Sequence, residues 1–148
     1  MLIVLGIGGS LLLGSVLSYG MAVVPLVRLV VRLTPPSSAP WGFWKGVALM
    51  MFVTLVTAVI HLIQIALWAV AVLLCGEMAD FERAFYYSAQ AYTALGYGDV
   101  ILSERWRLLG PLEAINGLLL FGLSTAGMFA VLSRLVTTSL QERGGGTT

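Results

Sequence analysis

Three stretches of this chain, residues 1–27, 46–76 and 114–133, contain no Asp, Glu, Lys or Arg. Each reaches the roughly 20 apolar residues that a helix needs to cross a bilayer, so three transmembrane helices are expected. The whole chain is 59% hydrophobic and only 10% charged, whereas soluble domains are roughly a quarter charged. The first stretch is read as a retained helix and not as a signal peptide: nothing basic precedes Leu2, and the apolar pattern runs past Gly20 to Leu33, with Pro25 as a candidate bend.

The same composition narrows the function. A net charge of +1, with eight Lys and Arg dispersed along 148 residues, leaves no basic footprint for nucleic acid. A single cysteine, Cys75, forms no intrachain disulfide, and His61 alone cannot complete a zinc site. An intramembrane enzyme would need a nucleophile and base at workable spacing, and Ser88, His61 and Asp99 fall on three different segments. No enzyme activity and no cofactor are expected.

The chain divides at its prolines and charges. A transmembrane helix over residues 1–33 is followed by a proline-rich linker, 34–45, because Pro35, Pro36 and Pro40 remove backbone donors and restrict their neighbours. Trp41, Trp44 and Lys45 suit the headgroup level at the start of the second span. That span is expected over 46–76, a third over 110–136, and a short tail over 137–148 ending in a glycine run. Five Lys and Arg lie between the first two uncharged stretches or after the third (Arg28, Arg32, Lys45, Arg134 and Arg143), and three (Arg83, Arg105 and Arg107) in the loop between the second and third spans. This bias favours a cytoplasmic linker and C-terminus and an external N-terminus.

Between the second and third spans, Asp80 is a plausible N-cap and Glu82 suits the positive end of a helix over 80–92. A dozen residues cannot cross a bilayer. The ribbon Gly96-Tyr97-Gly98-Asp99 that follows could be a surface turn in a soluble protein. Here it lies between two spans, and irregular backbone at membrane depth must be buried in protein or line an aqueous cavity, so a re-entrant loop is expected. Glycines around Tyr97 allow backbone conformations closed to other residues, by which a row of carbonyls can replace an ion's water shell. One strand cannot encircle an ion, so several copies around a cyclic axis are needed.

Residues 85–99, Phe-Tyr-Tyr-Ser-Ala-Gln-Ala-Tyr-Thr-Ala-Leu-Gly-Tyr-Gly-Asp, resemble the pore helix and selectivity filter of the potassium channel superfamily. The likeness extends through Trp106-Arg107-Leu108-Leu109 and the glycine-dotted third span, roughly half of the chain. The resemblance implies an all-α membrane protein, with three transmembrane helices, a re-entrant pore helix and a filter loop, assembled as a homotetramer in the lipid bilayer. It makes Thr93, Ala94, Leu95, Gly96, Tyr97, Gly98 and Asp99 the filter, with K+ at the carbonyls of Ala94, Leu95, Gly96 and Tyr97. By the same analogy the third span lines the inner pore, the second packs behind it and the first is peripheral. Ala94 stands where the family usually has a threonine whose hydroxyl completes the innermost ion site, so Na+ is the competing permeant ion. The alternative function is a nonconducting membrane interaction or sensor subunit that keeps the channel scaffold.

Other residues carry two readings each. Asp99 either raises the cation concentration at the pore mouth or tethers the filter to a pore-helix side chain; Glu77, Asp80 and Glu82 suit solvated or capping roles. Gly117 and Gly122 are candidate gating hinges by resemblance, an ungapped comparison placing the hinge near Gly117, although close helix packing is the commoner use of small residues in membranes. His61 and Gln64, one turn apart in the second span, are candidates for pH sensing or interhelical hydrogen bonding, as are Glu113 and Asn116 in the third. Thr54 and Thr57 are expected to bond locally, and Cys75 to be a packed thiol.

Overall fold

A computed structural model describes residues 2–33 and 42–144, with side chains as far as residue 137. It contains four helices: α1 (Leu2–Leu33), α2 (Phe43–Leu74), α3 (Phe81–Tyr92) and α4 (Leu109–Gly144), and no strand among the described residues. Three helices are long and apolar enough to cross a membrane. At 32 residues each, α1 and α2 are about 48 Å long, more than the hydrocarbon thickness of about 30 Å. The 12-residue α3 reaches only about 18 Å.

The boundaries differ from the expected ones for local reasons. α2 begins at Phe43 instead of 46, so Trp44 and Lys45 lie in its first turn; the rest of the linker lies outside the described residues, apart from Gly42. It stops before Gly76, whose φ of 75° is the left-handed conformation that ends helices. Gly76 N–H donates to the Leu73 carbonyl at 2.9 Å and Glu77 N–H to the Val72 carbonyl at 3.4 Å, which satisfies the last turn. Asp80 caps α3, its Oδ1 accepting the Arg83 N–H at 2.8 Å. The expected tail is helical as far as Gly144: Arg134 ends the uncharged run without ending the helix, because nothing from there to Gly144 breaks one. Pro25 lies inside an uninterrupted α1.

α3 is wedged between α2 and α4, and α1 packs along both long helices. The buried positions of α1 are Val4, Gly8, Ser15, Tyr19, Leu26 and Val30. Their spacing, alternately four and seven residues, is close to three turns per eleven residues and keeps one stripe on one face. A Cβ at Gly8 would run into Leu112, so the missing side chain lets α1 approach α4 closely. Trp68, Val72, Ala84, Tyr87, Trp106 and Leu109 form a core at the α3 end of the bundle. Glu77 closes that end by accepting the N–H and hydroxyl of Ser103 at 2.6 and 2.7 Å. Cys75 packs against this core, and burial followed by the Glu77 carboxylate pushes its thiol up, as expected of an inert packed cysteine.

Candidate ion filter

α3 ends in a left-handed residue. Thr93 is its C-cap, and Ala94, with φ of 55°, is the one non-glycine residue of positive φ among the described residues. Ala94 N–H donates to the Ala91 carbonyl and Leu95 N–H to the Gln90 carbonyl, both at 2.9 Å, the same closure that ends α2. Gly96 and Gly98 also have positive φ, 54° and 76°, whereas Leu95 and Tyr97 between them do not. Handedness therefore alternates along 94–98. Such alternation turns successive peptide planes the same way, which is how an extended ribbon brings its carbonyls to one side.

The ribbon is held from behind by α3. Gln90 Oε1 accepts the Tyr97 N–H at 3.1 Å, and its Nε2 donates to Asp99 Oδ1 at 3.0 Å. Tyr86, one turn earlier on the same face, donates its hydroxyl to Asp99 Oδ2 at 2.8 Å. Asp99 is thus tethered to the pore helix, and Gln90 spans the ribbon from Tyr97 to Asp99. Gln90 and Tyr86 were not singled out from sequence, although two polar side chains four apart on an aromatic-rich helix ahead of the ribbon were a usable signal. The Thr93 hydroxyl turns back to the Ala89 carbonyl at 2.7 Å. Within one chain, residues 93–99 are all exposed.

The hydrogen bonds from Gln90 and then Tyr86 hold the Asp99 carboxyl below the usual carboxylate range, and the same contact pushes the Tyr86 phenol up. A depressed carboxylate contributes fully above its ordinary pKa and loses its contribution as pH falls through the lower, folded value. Ion preference is accordingly expected to stay constant from neutral pH down through mildly acidic external solution and to fall only in strong acid below about pH 4. Reversal potentials measured against external pH check this.

The remaining candidates lie away from the ribbon. His61 and Gln64 are both buried but serve different partners. His61 bonds Tyr92 and Ser124, whereas Gln64 accepts the Ser15 hydroxyl at 2.8 Å and donates to the Ser18 hydroxyl at 3.0 Å. Thr57 donates to the Val53 carbonyl at 2.8 Å. Glu113 and Asn116 are fully buried with Ser88, and none of their side-chain polar atoms makes a hydrogen bond within the described chain. The two candidate hinge glycines differ sharply. A Cβ at Gly117 would collide with the backbone carbonyl of Tyr92, whereas one at Gly122 would meet nothing within 4 Å. α4 runs unbroken through both, and Gly117 is the point at which it touches the end of the pore helix.

A family model described as "Ion channel" matches residues 58–134, from the middle of α2 through the ribbon and into α4. The chain belongs to the ion channel family. Its matched part is a potassium channel superfamily pore module of two membrane helices around a re-entrant helix and loop. Over 91 residues the chain is 32% identical to the inward rectifier potassium channel Kirbac3.1 of Paramagnetospirillum magnetotacticum, a stretch that covers 57% of this chain and 30% of that protein. The channel chain thus spans less than a third of the length of that relative. No solved structure matches it.

Proposed function

We propose that this chain is one subunit of a homotetrameric passive cation channel that conducts potassium through backbone carbonyls of Ala94, Leu95, Gly96 and Tyr97. The observation that carries the reading is the alternating φ along 94–98 in a ribbon tethered from behind by Gln90 and Asp99 and uncovered in front. A row of polar backbone needs neighbouring copies to cover it at membrane depth, and four ribbons about one axis supply a cage of oxygens. Asp99 then lies at the external mouth, and the N-terminus outside, in keeping with the five Lys and Arg (Arg28, Arg32, Lys45, Arg134 and Arg143) on the opposite side against three in the loop. The potassium channel relative, 32% identical over 91 residues, supports the choice of ion.

The handedness at Ala94 supplies a physical reason for its departure from threonine. A β-branched residue is disfavoured at positive φ, where even alanine bears a cost that glycine does not. Ala94→Thr is expected to destabilise the assembly by about 1 kcal/mol, while Ala94→Gly leaves it unchanged or raises it. Thermal unfolding in detergent reads both.

The function itself is tested by recording purified protein in planar bilayers with potassium and sodium on opposite sides. The proposal expects unitary currents reversing toward the potassium potential. Silence across pH and voltage would favour the nonconducting subunit, and a reversal near zero a nonselective pore.

A further inference from the structure

Tyr92 is the last residue of the pore helix, immediately before the filter, and its side chain is fully buried. Its hydroxyl lies 2.8 Å from His61 Nδ1 on α2; His61 Nε2 lies 2.8 Å from Ser124 Oγ on α4; and Ser124 Oγ lies 2.7 Å from the Tyr19 hydroxyl on α1. These four side chains, one from each helix, form a single chain of hydrogen bonds in a region otherwise packed with apolar groups.

The proton directions follow from counting donors. The Leu120 carbonyl, 2.8 Å from Ser124 Oγ, can only accept, so it takes the single hydroxyl proton of Ser124. Both His61 Nε2 and Tyr19 must then donate to Ser124 Oγ, filling its two lone pairs. With its proton on Nε2, a neutral His61 accepts from Tyr92 at Nδ1. Every polar atom of the imidazole is used, and its ring is clamped by Phe121 at 4.4 Å and edge-on by Tyr92 at 5.9 Å. Side chains with one allowed proton arrangement hold their helices at one spacing. The backbone of Tyr92 is pinned as well, because its carbonyl abuts Gly117 of α4.

We propose that His61 is a positioning residue for the filter, fixing the end of the pore helix through Tyr92 against Ser124 of α4, and that α1 joins this linkage through Tyr19. α1 is then part of what sets ion affinity. This rests on the channel reading, and the test separates the two.

The first arm is nitrogen NMR of the full-length protein labelled at histidine in lipid nanodiscs at neutral pH. His61, the only histidine, is expected as the neutral tautomer protonated at Nε2, with Nδ1 accepting. A proton on Nδ1 would overturn the proposal. The second arm measures the potassium concentration that half-maximally raises the thermal stability of the oligomer, which reports ion binding without requiring conduction. Tyr92→Phe and Ser124→Ala are each expected to raise that midpoint about tenfold, and Tyr19→Phe to do so less. Tyr19→Phe combined with Tyr92→Phe is expected to be non-additive although these two side chains share no hydrogen bond. Unchanged midpoints in folded variants, beside a responsive wild type, would overturn the positioning role alone. A wild type indifferent to potassium would overturn both readings.

Discussion

Replacing Gly117 by alanine is expected to cripple this protein, while the same change at Gly122 leaves its fold intact. One methyl group at 117 would be forced into the carbonyl of Tyr92, and because that obstacle is backbone, no rotamer change can relieve it. Only a shift of α3 or α4 makes room. Overpacking of this kind costs about 1–3 kcal/mol, and here the displaced element is the pore helix that carries the filter. Gly117→Ala should therefore lower the melting temperature of the oligomer by several degrees and abolish or sharply reduce current. At Gly122 nothing lies within 4 Å of the added methyl, so melting should be unchanged. Any gating hinge in α4 is accordingly expected at Gly122 and not at Gly117, and altered open probability without altered melting in Gly122→Ala would show it. Equal melting curves for the two variants would contradict the contact at Gly117.

Gln90→Leu is expected to degrade ion discrimination without unfolding the protein. It removes the acceptor for the Tyr97 N–H and the donor to Asp99 in one step, leaving the ribbon attached through Tyr86 and the two glycines free to turn. Discrimination among ions of similar chemistry depends on the number and placement of carbonyl dipoles. The potassium-to-sodium permeability ratio should fall by about tenfold or more, read as a shift of reversal potential toward zero. Gln90→Glu keeps an acceptor for Tyr97 but sets a second carboxylate against Asp99, so it should be no better than leucine. A ratio unchanged in both variants would mean that the ribbon is held by contacts between subunits and not by its own pore helix.

How far the sequence reaches differs from element to element. The three spans were legible because absence of charge is a local property, and α3 because Asp80 and Glu82 at its start are local signals too. Gly76 was counted within the second span, whereas the glycines of the ribbon could be read as points of unusual backbone. The C-terminal extent of α4 could not, since charge marks the end of a membrane span and is neutral toward a helix. The buried stripe of α1 was equally hidden: a helix that is apolar all round does not announce which face meets protein, and only Ser15 and Tyr19 hint at it. His61 stood out as a costly polar group in a span, but its partners Tyr92 and Ser124 lie 31 and 63 residues away and are brought to it by packing. Gln90 was passed over because a glutamine on a short helix is ordinary until the loop beyond it folds back. Ala94 was legible as a departure, and its left-handed backbone was not.

In a conducting assembly, residues 94–97 of four copies are expected to surround bare cations on a common axis. Anomalous diffraction from crystals of the full-length protein grown in thallium or rubidium tests it most directly. A fourfold assembly is expected, with a column of anomalous peaks on the axis, each ringed by carbonyl oxygens of Ala94, Leu95, Gly96 or Tyr97. Peaks elsewhere, no peaks, or a ribbon facing lipid in a monomer would contradict it.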